Sequence, residues 1–248
     1  MFNFFAAADS RHDNCYYIEG NNLNHIKNVL RMKIGDRFLV SEGGISSLCE
    51  LTQLDDSCAV ALIIEESFHN TELPVEIHLF QGLPKADKME LIIQKCVELG
   101  VYKITPCEMH RCVVKIEEKK KKSKIQRWQA ISESAAKQSK RCIIPEIGDV
   151  LPFSLLKEKV KDFDLFIVPY ENEKGMKATK EALDRIKSGM KIGILIGPEG
   201  GFEEREIDAL LGIGAIPLSL GSRILRTETA AITAVGMCML HIEMNVKE

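Results

Sequence analysis

Two glycine-punctuated loops in the C-terminal part of the chain carry the residues best suited to chemistry. The first is Gly197-Pro198-Glu199-Gly200-Gly201 and the second is Leu220-Gly221-Ser222-Arg223-Ile224-Leu225-Arg226. Each follows a short apolar run and leads into a helical pattern. Strand, glycine loop and helix in succession build ligand sites at the carboxyl ends of strands. Pro198 has no N–H to donate and ends the first strand. Gly200 and Gly201 permit positive φ and let a ligand approach bare backbone. Glu203, Glu204 and Glu206 then load the next helix start with acid, which suits the positive end of its dipole. That acid disfavours a phosphate there, and the lysine and Ser/Thr of a P-loop are missing. A cationic or neutral ligand therefore fits better than a nucleoside triphosphate. The rival reading of one Gly-Gly pair is a plain turn between strand and helix.

The elements around these loops follow from periodicity. Gly193 to Ile196 is almost wholly apolar and suits a parallel strand covered on both faces. Leu165 to Pro169 reads as another buried strand, with Val168 and Pro169 at its carboxyl end. Leu218 to Leu220 reads as a strand end broken by Gly221. Thr227 is expected to cap a helix from Glu228, in which Ala230, Ala231, Ala234, Cys238 and Ile242 recur at helical spacing. Upstream, Val75 to Phe80 reads as a strand and Lys85 to Leu99 as a helix, with Gly100 as its C-cap. Val101 to Pro106 reads as the next strand. This rhythm implies a parallel sheet. Gly175 to Lys187 is expected to be helical, with Leu183 and Ile186 inward.

Residues 1–70 read differently. Asp36 to Val40, Ile45 to Leu51 and Cys58 to Ile64 are short strands, and Gly43-Gly44 between the first two signals a hairpin. Leu23, Ile26 and Leu30 suggest one short helix. Several short strands with turn signals suggest a barrel. Phe68 to Leu73 is polar and reads as the linker. Basic residues Lys27, Arg31, Lys33 and Arg37 surround the apolar helix face and suit phosphate contact, unless they only cover a solvated face. Between 115 and 127, seven basic residues stand against two acids. This run reads as a solvated loop or a phosphate-contacting edge. Ser123 is then expected to cap a helix with Ile125, Trp128, Ile131 and Ala135 on one face.

Composition bounds the rest. Lys and Arg number 33 against 36 Asp and Glu, a net charge of −3, so whole-chain charge does not advertise nucleic acid. Hydrophobic content of 45% is ample for a core. No run approaches the ~18 apolar residues of a membrane span. The opening MFNFFAAADSRHD lacks the basic segment and long apolar core of a secretory signal, so a cytoplasmic protein is expected. The eight cysteines are scattered without a CxxC and suit free thiols in a reducing compartment. Cys107, His110 and Cys112 fit no standard zinc spacing, and no metal is expected.

GPEGGF followed by LGSRILRTETA resembles the RsmE family of ribosomal RNA uridine N3-methyltransferases, in the SPOUT superfamily. The resemblance extends through Lys85 to Glu90, Gln94 to Val101, Arg127-Trp128, Gln138 to Arg141 with Pro145, and His25 to Asp36. It implies an α/β SPOUT domain at 73–248 with a deep trefoil knot, plus a small PUA-like RNA-binding β-barrel at 1–70. It further implies a homodimer, ribosomal RNA of the small subunit as substrate, free or assembled, and S-adenosylmethionine as methyl donor. The donor would lie among three loops formed by Val168, Pro169, Ile196, Gly197, Gly200, Gly201, Leu218, Leu220, Gly221, Ile224 and Leu225. Arg111 and Arg141 fall in family motifs and would bind RNA with Lys27, Arg31 and Lys33; a structural ion pair is the rival reading of the two arginines.

The target nitrogen of uracil is protonated at neutral pH and must lose its proton before or during attack on the methyl group. Negative charge then spreads over both carbonyls, and a guanidinium stabilises it as it forms. Arg226 is the leading candidate. Glu199 or Glu228 is the candidate base, with a carboxyl raised by burial; each also has a structural reading, as a loop acceptor and as a first-turn charge. Rival functions on the same scaffold are ribose 2′-O methylation and inactive RNA binding.

Overall fold

The computed structural model describes residues 1–7 and 9–246. The chain forms two compact units. One comprises Met1–Glu72 with Ala136–Ile144, the other Leu73–Ala135 with Pro145–Glu248. The expected boundary at residue 70 therefore leaves out a segment from the middle of the chain.

The first unit contains β1 (Asn3–Phe5), β2 (Arg11–His12), β3 (Cys15–Ile18), α1 (Gly20–Asn24), a π-helical turn (His25–Val29), β4 (Arg37–Glu42), β5 (Ile45–Leu54) and β6 (Ala59–His69). They form one six-stranded sheet in the order β1-β4-β5-β6-β3-β2. No ladder joins β1 to β2 among the described residues, so hydrogen bonding does not close this sheet into the expected barrel. Its core includes Phe4, Tyr16, Ile26, Phe38, Leu51 and Ile63. The hairpin from β4 to β5 turns on Gly43 and Gly44, both at positive φ (58° and 86°). Two such residues suit a two-residue turn whose twist matches the flanking strands. β6 runs on to His69, beyond the expected start of the linker at Phe68. Its polar end is an exposed strand surface, still paired through Ser46 and His69.

Arg141 is buried in this unit at 2% exposure. Its Nε donates to both Glu72 carboxylate oxygens at 2.9 Å, and the Cys142 N–H donates to Glu72 Oε1 at 2.7 Å. Asn3 Nδ2 in turn donates to the Arg141 carbonyl at 2.9 Å. This corrects the expectation that Arg141 contacts RNA, because a guanidinium enclosed by its carboxylate cannot reach a phosphate. The pair instead ties residues 136–144 to the sheet unit. Removing one partner of a buried pair strands the other charge at a cost of about 3–5 kcal/mol. Glu72→Ala is therefore expected to lower the urea midpoint of this unit strongly. An unchanged midpoint would show that the pair contributes nothing to stability.

The second unit contains β7 (Glu76–Gly82), α2 (Lys88–Glu98), β8 (Lys103–Glu108), α3 (Glu118–Ser139) as far as Ala135, β9 (Glu146–Ile147), β10 (Leu151–Pro152) and α4 (Phe153–Lys159). It continues with β11 (Leu165–Pro169), α5 (Lys177–Leu183), β12 (Lys191–Ile196), α6 (Glu204–Leu211), β13 (Ile216–Leu218) and α7 (Thr227–Asn245). Seven strands form a wholly parallel sheet in the order β10-β8-β7-β12-β11-β13, with β9 beside β8. The central strands are buried on both sides, which explains their unbroken apolar runs. Gly193 on β12 is needed for close packing: a Cβ there would lie 2.2 Å from the Phe166 ring.

Four helix starts differ from expectation: α2 begins at Lys88 rather than Lys85, and α5 at Lys177 rather than Gly175. α3 begins at Glu118, so the basic run lies on helix and Ser123 is interior, with its Oγ donating to the Lys120 carbonyl at 3.0 Å. Acids at 117 and 118 pair with Lys120 and Lys121 at 3.0 and 2.9 Å, and such pairs three residues apart support the helix. α7 begins at Thr227 with Arg226 as N-cap, and Thr227 does not cap it with its side chain. No helix among the described residues is long and apolar enough to cross a membrane.

Candidate active site

The carboxyl ends of β12, β11 and β13 lie side by side, and the loops leaving them enclose a cavity of about 460 Å³. Pro169 and Tyr170 come from the first loop in chain order. Ile196, Gly197, Glu199 and Gly201 come from the second, and Leu220 to Arg226 from the third. Thr227 and Ala230 on α7 and Lys88 on α2 complete the wall. Of the expected donor-binding residues, Pro169, Ile196, Gly197, Gly201, Leu220, Gly221, Ile224 and Leu225 line this cavity. Val168 and Leu218 are buried in their strands and do not line it. Ile224 is 88% exposed and sits at the rim.

The glycine loop is shaped by close packing. Gly201 takes φ of 68°, a conformation that favours glycine. Gly200 faces away from the cavity: a Cβ there would lie 2.9 Å from the Arg111 carbonyl oxygen and Cβ. Arg111 Nη1 donates to the Gly200 carbonyl at 3.2 Å, which clamps the loop from outside. The Thr227 hydroxyl donates to the Gly197 carbonyl at 2.7 Å and accepts from Gln81 Nε2 at 2.9 Å. One threonine thus ties the start of α7 to the glycine loop and to the end of β7. The third loop is held by Thr179, whose hydroxyl donates to the Ser219 carbonyl at 2.8 Å.

Arg226 lines the cavity and is exposed, and its side chain has no hydrogen bond or ion pair among the described residues. The basic residues singled out for RNA lie in two places. Lys27 pairs with Asp56, while Arg31 and Lys33 are exposed in the first unit. Arg111 lines a hollow of about 450 Å³ with Asn172 and Arg205, which shares Tyr170, Glu171 and Phe202 with the main cavity.

Residues 71–239 match the RNA methyltransferase domain family, and residues 18–63 match the RNA methyltransferase PUA domain family. A Bacillus subtilis protein, ribosomal RNA small subunit methyltransferase E, is 38% identical over 92% of this chain and 91% of its own length. This chain belongs to the ribosomal RNA small subunit methyltransferase E family. Solved structures agree in fold. The family member from Neisseria gonorrhoeae, crystallised with S-adenosylmethionine, has a TM-score of 0.82 at 29% identity, covering 97% of each chain. A structure from Legionella pneumophila, also in complex with S-adenosylmethionine, has a TM-score of 0.80 at 31% identity, covering 96% of this chain and 97% of the other.

Charge in this family member's cavity is organised by a residue that sequence reasoning did not single out. Lys88 Nζ lies 3.0 Å from Glu199 Oε1 and 3.1 Å from Glu228 Oε2. The Lys85 N–H also donates to Glu199 Oε1 at 3.0 Å. Burial opposes the charge on Glu199, but the ammonium and the backbone N–H outweigh it, and the carboxyl titrates below its ordinary value. This corrects the expectation of a raised carboxyl at Glu199. A carboxylate whose charged form is favoured in this way is a weaker proton acceptor than a free one. Lys88 itself is raised by hydrogen bonding to Glu199 and then Glu228. Lys88 lies in a motif carrying the family resemblance, but nothing in its spacing named its partners.

The depressed carboxyl sets a pH dependence. Its contribution to stability is fully present above the unfolded-chain value of about 4.5 and is lost as pH falls toward the lower folded value. Glu199→Gln is expected to flatten that limb of the stability curve, measured by thermal unfolding between about pH 5 and 3. Parallel limbs for the two proteins would remove Glu199 as the source.

Proposed function

We propose that the cavity binds S-adenosylmethionine and that the protein methylates N3 of a uridine in small-subunit ribosomal RNA. The observation that carries this reading is the three-loop cavity at the strand ends, in a chain whose relatives hold that donor. Its volume lies in the range of small-molecule sites. Its residues fit the group. Pro169, Ile196, Leu220 and Leu225 offer apolar walls to an adenine, and Gly197 and Gly201 offer bare backbone. Glu171 and Glu173 suit a positively charged ligand. When bound, the donor supplies a methyl group activated by its sulfonium.

The chain's own residues then orient the acceptor. Arg226 stabilises the negative charge that grows on the uracil carbonyls as N3 loses its proton. Arg111, in the adjoining hollow, receives the flanking phosphate or ribose, and Lys27, Arg31 and Lys33 hold RNA on the first unit. The uridine must be unpaired or flipped out, because pairing hides its N3 edge. We further expect the deep trefoil knot of SPOUT domains, a homodimer and action in the cytoplasm. The sequence motifs support the first two, and the scattered cysteines support the third.

Nucleoside mass spectrometry of ribosomal RNA, from a strain lacking the protein and from the complemented strain, tests the reading. Loss and return of one N3-methyluridine is expected. Loss of a 2′-O-methylribose would overturn the substrate assignment. No change, together with no donor binding by calorimetry, would leave an RNA-binding protein.

A further inference from the structure

We propose that Lys88 is a positioning residue: by occupying Glu199 and Glu228 it keeps the Arg226 guanidinium available to the substrate. This rests on the assignment of Arg226 above. Lys88 is the first residue of α2, at the positive end of the helix dipole, where a cation is disfavoured. Two carboxylates, one from the glycine loop and one from the first turn of α7, hold it there at 3.0 and 3.1 Å. Glu228 Oε2 is closed to solvent, and among the described residues its compensation is the Lys88 ammonium at 3.1 Å. A buried carboxylate left without that ammonium demands another cation.

Arg226 stands two residues before Glu228, and its side chain is unpaired among the described residues. A guanidinium fork matches a carboxylate in two-pronged geometry and binds it more tightly than an ammonium does. With Lys88 in place, Glu228 is already engaged and Arg226 stays directed to the cavity. With Lys88 removed, Arg226 folds onto Glu228 and is lost to the uracil. Sequence separation hides this relation, since the lysine and the second acid are 140 positions apart.

Three variants test it: Lys88→Met, Lys88→Arg and Lys88→Met combined with Glu228→Gln. Lys88→Met is expected to slow single-turnover methyl transfer by about 10- to 100-fold, in the range of a lost transition-state contact. Its S-adenosylmethionine affinity, read by calorimetry, should stay within about threefold. Its crystal structure should place the Arg226 guanidinium on Glu228. Lys88→Arg should transfer at near the native rate, and the double variant should recover most of what Lys88→Met loses. If Lys88→Met does not fold, Lys88→Gln is read in the same way. Native transfer by Lys88→Met, an unpaired Arg226 in its crystal structure, or a double variant as slow as the single would each overturn the proposal. Arg226→Ala separates the two readings. If it is inactive while Lys88→Met is fully active, only the role of Lys88 falls. If it transfers at the native rate, the assignment of Arg226 itself falls.

Discussion

Arg226→Ala is expected to lose methyl transfer by about 10²–10³-fold while keeping its donor, because one donor to a developing oxyanion typically contributes that much to kcat. The position supports a selective effect. Arg226 is the N-cap of α7 through its backbone, and its side chain makes no hydrogen bond or ion pair among the described residues. Truncation therefore removes a charge from the cavity without stranding a partner. The uracil is neutral before reaction and carries negative charge during it, so the guanidinium acts mainly on the transition state. Donor affinity, measured by calorimetry, should change little. Arg226→Lys should recover only part of the rate, since an ammonium is a point charge and cannot span two carbonyls as a fork does. Single-turnover assays on a ribosomal RNA substrate read the rate directly. Native turnover in Arg226→Ala would exclude the residue from the chemistry.

Gly82→Ala carries the second large effect. Gly82 ends β7, and a Cβ on it would lie 2.7 Å from both the nitrogen and Cδ of Pro198. A contact that short cannot persist, and Pro198 is a poor group to move. Its ring restricts the backbone, and its neighbour Gly197 accepts the 2.7 Å bond from Thr227 that ties the loop to α7. The strain falls on the glycine loop that walls the donor site. Overpacking of this kind costs about 1–3 kcal/mol. If half of that is felt by the bound state, donor affinity drops by roughly two- to thirteenfold. Calorimetry and thermal unfolding of the same sample separate the two contributions. Native affinity together with native stability would mean that the loop yields freely and that the close approach of Gly82 has no function.

The sequence by itself determined the strands and turns of the site, and the family. Leu165–Pro169 and the turn at Gly43-Gly44 were legible because their causes are local: an unbroken apolar run, and two residues free to take positive φ. The two glycine loops were legible as turns leaving strand ends for the same reason, and their ordered motifs pointed to methyltransferase chemistry. Local reasoning failed where a longer-range partner decided the outcome. Thr227 looked like a cap, but the Gly197 carbonyl and Gln81 claim its hydroxyl. Arg141 looked like an RNA contact, but Glu72 encloses it, and with it residues 136–144 join the sheet unit. Glu199 looked like a base raised by burial, but Lys88 holds it charged. Each case has the same physical origin. Propensity and turn chemistry act over a few residues and can be read along the chain. The partner of a buried charge or hydroxyl is whichever complementary group the packing brings within about 3 Å, and sequence spacing carries no record of that distance.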